Sequence, residues 1–164
     1  MFMTNAKMMK ESNEIIKLHA PSILKELGLS ENDEILNRIV VSDKIGSSIP
    51  HGVCEAQISR KFFSSDSVYI KGSAKITIYP LTFLYYTSKD GSLKKIPFVV
   101  RLFESQLRRA IIFTLAHELR HYWQHETGEY EKNELQFLGM SVMPYQHRWC
   151  EKDANEFGRK YIKK

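Results

Sequence analysis

The feature that most restricts this chain is the run from Phe98 to Glu126, which contains neither glycine nor proline and repeats apolar residues on recurring faces. Such a run predicts helix, either as one long element or as two. Inside it stands His117-Glu118-Leu119-Arg120-His121. Two histidines four residues apart on a helix project from one face. The segment before them, Ala110 to Ala116 (AIIFTLA), is apolar enough to bury the helix. Imidazoles on a core-facing surface are costly unless a partner satisfies them, so the fold has to supply one.

A divalent cation is the partner this spacing suits. Each imidazole can present one ring nitrogen to a single Zn²⁺ at ~2.0–2.1 Å. Glu118, one residue along, reaches the rim of the same site and can take a proton from water without becoming a ligand. The expected chemistry is hydrolysis by water whose pKa is lowered to ~7, at a carbonyl polarised by the same ion. From average residue usage, this motif arises by chance in well under roughly one in a hundred chains of this length. The competing explanation is a pair of surface or hydrogen-bonded histidines.

A catalytic zinc site needs a third protein ligand and one open position. His125 continues the row, but it lies about 12 Å from His117 along the helix axis, too far to share one ion. A third histidine ten residues after the first is absent, because position 127 is Thr. The last predicted helix, Trp149 to Ile162, offers Cys150, Glu151, Asp153 and Glu156, and the loop before it offers His147. Tyr145 and His147 in that loop are candidate stabilisers of a transition-state oxyanion, with Tyr122 and Tyr130 as alternatives. Trp123 and Trp149 flank the ligand segments and are expected to pack.

The motif followed by Glu151-Lys152-Asp153-Ala154-Asn155-Glu156-Phe157-Gly158 resembles gluzincin-type metallopeptidases, especially the ImmA/IrrE-like group and the compact minigluzincins. The resemblance spans roughly Ile111 to Tyr161. It implies that Glu151 is the third zinc ligand, and a carboxylate crossing from a second helix would neutralise much of the ion's charge. Asn155, one turn later, is placed to hold a ligand histidine from behind. The sequence departs from the family pattern at Arg120, where glycine is usual, and at Gly158, where alanine is usual. The implied fold is a zincin-like α+β domain, with a small twisted sheet on the active-site helix and further helices after it. The implied activity is a zinc metallopeptidase acting on a peptide or protein substrate, such as a regulatory protein cut inside the cell.

The rest of the chain is consistent with that frame. Its 164 residues suit one domain. Residues 1–10 read as a flexible start. Glu11 to Leu27 has helical spacing, interrupted or restarted at Pro21 and stopped at Gly28. Strands are predicted at Arg38–Ser42, Val53–Ser59, Ser67–Lys71 and Ala74–Tyr79. The last of these is read either as an edge strand that pairs with an extended substrate or as an interior strand. A short helix is expected over Tyr130–Met143. The net charge of +5 and the scattered lysines and arginines disfavour nucleic acid as a partner without excluding it. Cys54 and Cys150 make no disulfide framework, and no apolar run reaches the ~18 residues of a membrane span. A cytoplasmic location is expected, and oligomeric state is not encoded in any feature of the sequence. The rival reading is a non-peptidase zinc-binding or nucleic-acid-associated regulatory module. The presence of Glu118 argues against it, since a structural zinc site needs no base.

Overall fold

The computed structural model describes residues 4–46, 48–60, 67–87, 92–95, 104–136 and 148–163. It is an α+β arrangement. The first helix, α1 (Asn5–Glu26), begins six residues earlier than the expected Glu11 and so corrects the flexible reading for residues 5–10. The reasons are local. Thr4 caps the helix by accepting the Lys7 N–H on its side chain, and Met8 and Ser12 fall on the same buried face as Ile15. Pro21 lies within α1 and does not break it. Gly28, with φ of +74°, turns the chain out of the helix.

Asp33 then caps a 3-10 turn over Glu34–Arg38, which leads into β1 (Ile39–Val41). The predicted strand Val53–Ser59 is split into β2 (Gly52–Glu55) and β3 (Ile58–Arg60). β4 (Ser67–Tyr69) pairs antiparallel with β3. β5 (Lys75–Ile78) is the centre of a mixed three-stranded sheet ordered β1-β5-β2. It is parallel to β1, with Val40 opposite Thr77, and antiparallel to β2, with Cys54 opposite Ile76. The edge-strand reading of Ala74–Tyr79 is therefore corrected, because β5 is paired on both sides. The edges of this sheet are β1 and β2. Ile76, Thr77 and Ile78 are all buried, as a central strand covered on both faces requires. A second 3-10 turn, Pro80–Leu84, precedes a hairpin of β6 (Tyr85–Thr87) and β7 (Leu93–Lys95).

The helices that follow are α2 (Glu104–Glu126), α3 (Glu129–Gln136) and α4 (Trp149–Tyr161). α2 is a single helix over its described length. It touches α1, β2, β5, α3 and α4, which makes it the central element of the molecule. The main core joins Ile23 and Leu24 of α1, Ile76 and Ile78 of β5, and Leu115 and Leu119 of α2. Each Leu or Ile buried there contributes about 1.5–3 kcal/mol relative to exposure. A smaller cluster of Met8, Ile15, Leu81, Leu84 and Ile111 closes the other end. Among the described residues, no helix is long and apolar enough to cross a membrane.

Candidate metal centre

The first half of α2 supplies the apolar contacts, and its second half carries polar side chains toward α4. His117 Nε2 and His121 Nε2 lie 3.0 Å apart, as i, i+4 neighbours on one helical face. Glu151 projects from the first turn of α4 and meets both rings. Its Oε2 is 3.4 Å from His117 Nε2 and its Oε1 is 3.3 Å from His121 Nε2. One ligand atom from each of the three residues lies within 4.8 Å of the others. Ligands at 2.0–2.2 Å around a tetrahedral ion stand about 3.4 Å apart, so the observed separations are within a few tenths of an ångström of what zinc needs. Glu151 is only 4% exposed. A buried carboxylate facing two ring nitrogens is a donor set that suits a divalent cation.

Glu118 lies beside this cluster and reaches β2. Its side chain packs against Gly52, where an added Cβ would sit 2.9 Å from Glu118 Oε1 and 2.6 Å from Thr114 Cγ2. Burial pushes the Glu118 carboxyl above its ordinary value, and the Glu151 charge adds to that. His117, His121 and a hydrogen bond from the Cys54 backbone N–H oppose it. For His121, burial lowers the imidazole, but the hydrogen bond to Glu151 and the charges of Glu118 and Glu151 outweigh burial and raise it.

Two of the competing third ligands are engaged or turned elsewhere. Asp153 is held by Arg120, whose Nε and Nη2 donate to Oδ2 at 2.7 Å and Oδ1 at 3.0 Å. Glu156 is exposed on the far side of α4. Burial raises the Cys150 thiol. His125 lies outside the cluster, between the rings of Tyr69 and Tyr130 at 4.9 and 4.5 Å. Tyr122 is corrected from candidate stabiliser to core residue, since its hydroxyl donates to Asp33 at 2.8 Å, far from the cleft. Tyr145 and His147 lie outside the described residues.

Asn155 lines the cleft, and among the described residues no hydrogen bond joins it to either histidine. Among the described residues His117 Nδ1 meets no hydrogen-bond partner, and His121 Nδ1 is met by Gln124 Oε1 at 2.9 Å. Sequence reasoning missed Gln124, although its position three residues after His121 on a helix is a usable signal. It also missed Gly52, which no local pattern marks. A cavity of about 400 Å³ opens beside the ligand cluster, walled by His51, Gly52, Phe83, Phe113 and Ile162 and floored by His117 and Glu118. That volume lies within the range of small-molecule pockets. His51 is fixed in this wall by Thr82, 2.7 Å away, and by stacking on Phe83.

A family model described as "Protein of unknown function (DUF3920)" matches residues 76–164, which include all three convergent residues and Glu118. No curated protein and no solved structure matches the chain.

Proposed function

We propose that this chain, which belongs to the DUF3920 family, is a zincin-like metallopeptidase that hydrolyses peptide bonds of a protein substrate inside the cell. The observation that carries the reading is the convergence of His117, His121 and Glu151 at 3.0–3.4 Å, with the buried Glu118 carboxyl alongside. His117, His121 and Glu151 would hold one Zn²⁺, two neutral donors and one anion, which leaves room for a fourth position. The bound ion would supply Lewis-acid activation of water and of the scissile carbonyl.

The remaining work belongs to the chain's own side chains. Glu118 is anchored by the Cys54 N–H, so its carboxyl has a defined position from which to take a proton from the attacking water and return it to the leaving amine. The cleft walled by Phe83 and Phe113 offers the substrate an apolar pocket, and β2 is the sheet edge nearest to Glu118. An extended peptide aligned with that edge would reach the cluster without any demand on its sequence.

Metal analysis of the purified protein together with a panel of unfolded protein substrates tests this reading. Wild type is expected to hold about one zinc per chain and to cleave in a chelator-sensitive manner. His117→Ala and Glu151→Ala should lose most of the metal, whereas Glu118→Gln should keep it and lose cleavage. Full metal retention in Glu151→Ala would remove the third ligand, and undiminished cleavage by Glu118→Gln would remove the proposed base.

A further inference from the structure

One buried amide on α2 is not used by the proposed chemistry. Gln124 is completely shielded from solvent. Its Nε2 carries two hydrogens and faces two acceptors, the Cys150 carbonyl oxygen at 3.1 Å and Asp153 Oδ2 at 2.7 Å. Its Oε1 faces His121 Nδ1 at 2.9 Å. Asp153 already accepts two hydrogen bonds from Arg120. Turning the amide over would put its carbonyl oxygen against a carbonyl and a carboxylate, leaving three acceptors and no hydrogen between them. That arrangement would leave buried polar groups unpaired, which the interior penalises. Only one orientation satisfies every group. In it Gln124 Oε1 accepts, so His121 Nδ1 carries a ring hydrogen and Nε2 is the nitrogen turned toward His117 and Glu151.

We propose that Gln124 is the positioning residue of this site, setting the tautomer and ring plane of His121, and that the Arg120–Asp153 pair is the clamp that holds the amide. The Arg120 guanidinium is itself fixed, 3.8 Å from the Trp123 ring centroid and 5.5 Å from that of Phe157. Arg120 thus has a role that glycine at the same position cannot perform. The chain of contacts runs from Arg120 through Asp153 and Gln124 to His121, and it ties α2 to α4 on the side of the cluster away from the cleft. Its consequence for ion binding rests on the metal-site reading, whereas the contact between His121 Nδ1 and Gln124 belongs to the chain itself.

Two measurements on the full chain test the proposal. The first is the ¹⁵N spectrum of the imidazoles after chelation, followed upward in pH until the His121 ring is neutral, with His121 assigned by the signals lost in His121→Asn. Wild type should show His121 as the single Nδ1–H tautomer, and Gln124→Met should show a mixture. The second is competition between the protein and a chelator for Zn²⁺ or Co²⁺. Gln124→Met should weaken ion binding about 10- to 100-fold, the usual effect of removing a group behind a ligand histidine. An unchanged tautomer together with unchanged affinity in Gln124→Met overturns the proposal. Should that variant fail to fold by circular dichroism, Arg120→Gln decides, because its side chain is partly exposed. Weaker ion binding in Arg120→Gln supports the clamp, and unchanged binding overturns it. If wild type binds no divalent ion, the metallopeptidase reading fails, and the tautomer comparison still decides the role of Gln124.

Discussion

At the scale of single residues, the site depends on side chains that are present and on one that is absent. Gly52 lacks the Cβ that would meet Thr114 and Glu118 at 2.6–2.9 Å. Gly52→Ala should push β2 away from α2 and displace the Glu118 carboxyl. The expected cost is about 1–3 kcal/mol of stability, read as a drop of about 2–12 °C in the thermal midpoint for a chain of this size, with cleavage falling more than tenfold. A variant with wild-type melting and cleavage would show that Glu118 is not held by this packing. His117, Glu118 and His121 were legible in the sequence because helical spacing alone puts the two imidazoles on one face. Glu151 was legible only through the resemblance, since nothing in the spacing chose it over Asp153. The choice is made by Arg120, which occupies Asp153 with two hydrogen bonds.

At the scale of elements, α2 and α4 approach closely because Gly158 faces Phe113. A Cβ there would lie 2.9 Å from the Phe113 ring and 3.2 Å from its carbonyl oxygen. Gly158→Val should lever α4 off α2 and carry Glu151 away from the histidines. The outcome expected is weaker zinc binding in chelator competition, with a lower melting midpoint. Retained zinc affinity would mean that the ligand geometry tolerates a shifted α4. The end of α2 adds a pH effect of its own. Burial, with a smaller contribution from His121, lowers the His125 imidazole to about 4, and Glu126 opposes this. An unfolded chain takes up that proton near 6.5 and the folded chain does not. Folding stability from this residue is therefore complete above about 6.5 and is lost progressively as pH falls toward about 4. His125→Phe keeps the stack with Tyr69 and Tyr130 and should flatten this part of the stability curve, measured by denaturant titration at several pH values. An equally steep fall in the variant would place the effect on other groups. The periodicity of α2 and α4 was readable because each has one apolar face. The early start of α1 was not, because its first turn is fixed by the Thr4 cap and by burial of Met8 against Leu81 and Leu84, residues far along the chain.

At the scale of the whole molecule, the three convergent residues join two helices separated by more than twenty residues of chain. An ion bound by the folded state and not by the unfolded one stabilises folding by about 2.7 kcal/mol when free at one hundred times its dissociation constant. Zinc should therefore raise the melting midpoint by about 5–11 °C, and Glu151→Gln should abolish most of that rise. A rise of the same size in both proteins would put the bound ion elsewhere. By itself the sequence determined the helical register of the two histidines and the glutamate between them, because a 3.6-residue period needs no distant partner. The tertiary structure alone decided that β5 is central and β2 an edge, that Glu151 is the carboxylate facing the rings, and that Gln124 backs His121. Each of these depends on which surfaces meet once the chain has packed, and no local spacing encodes that.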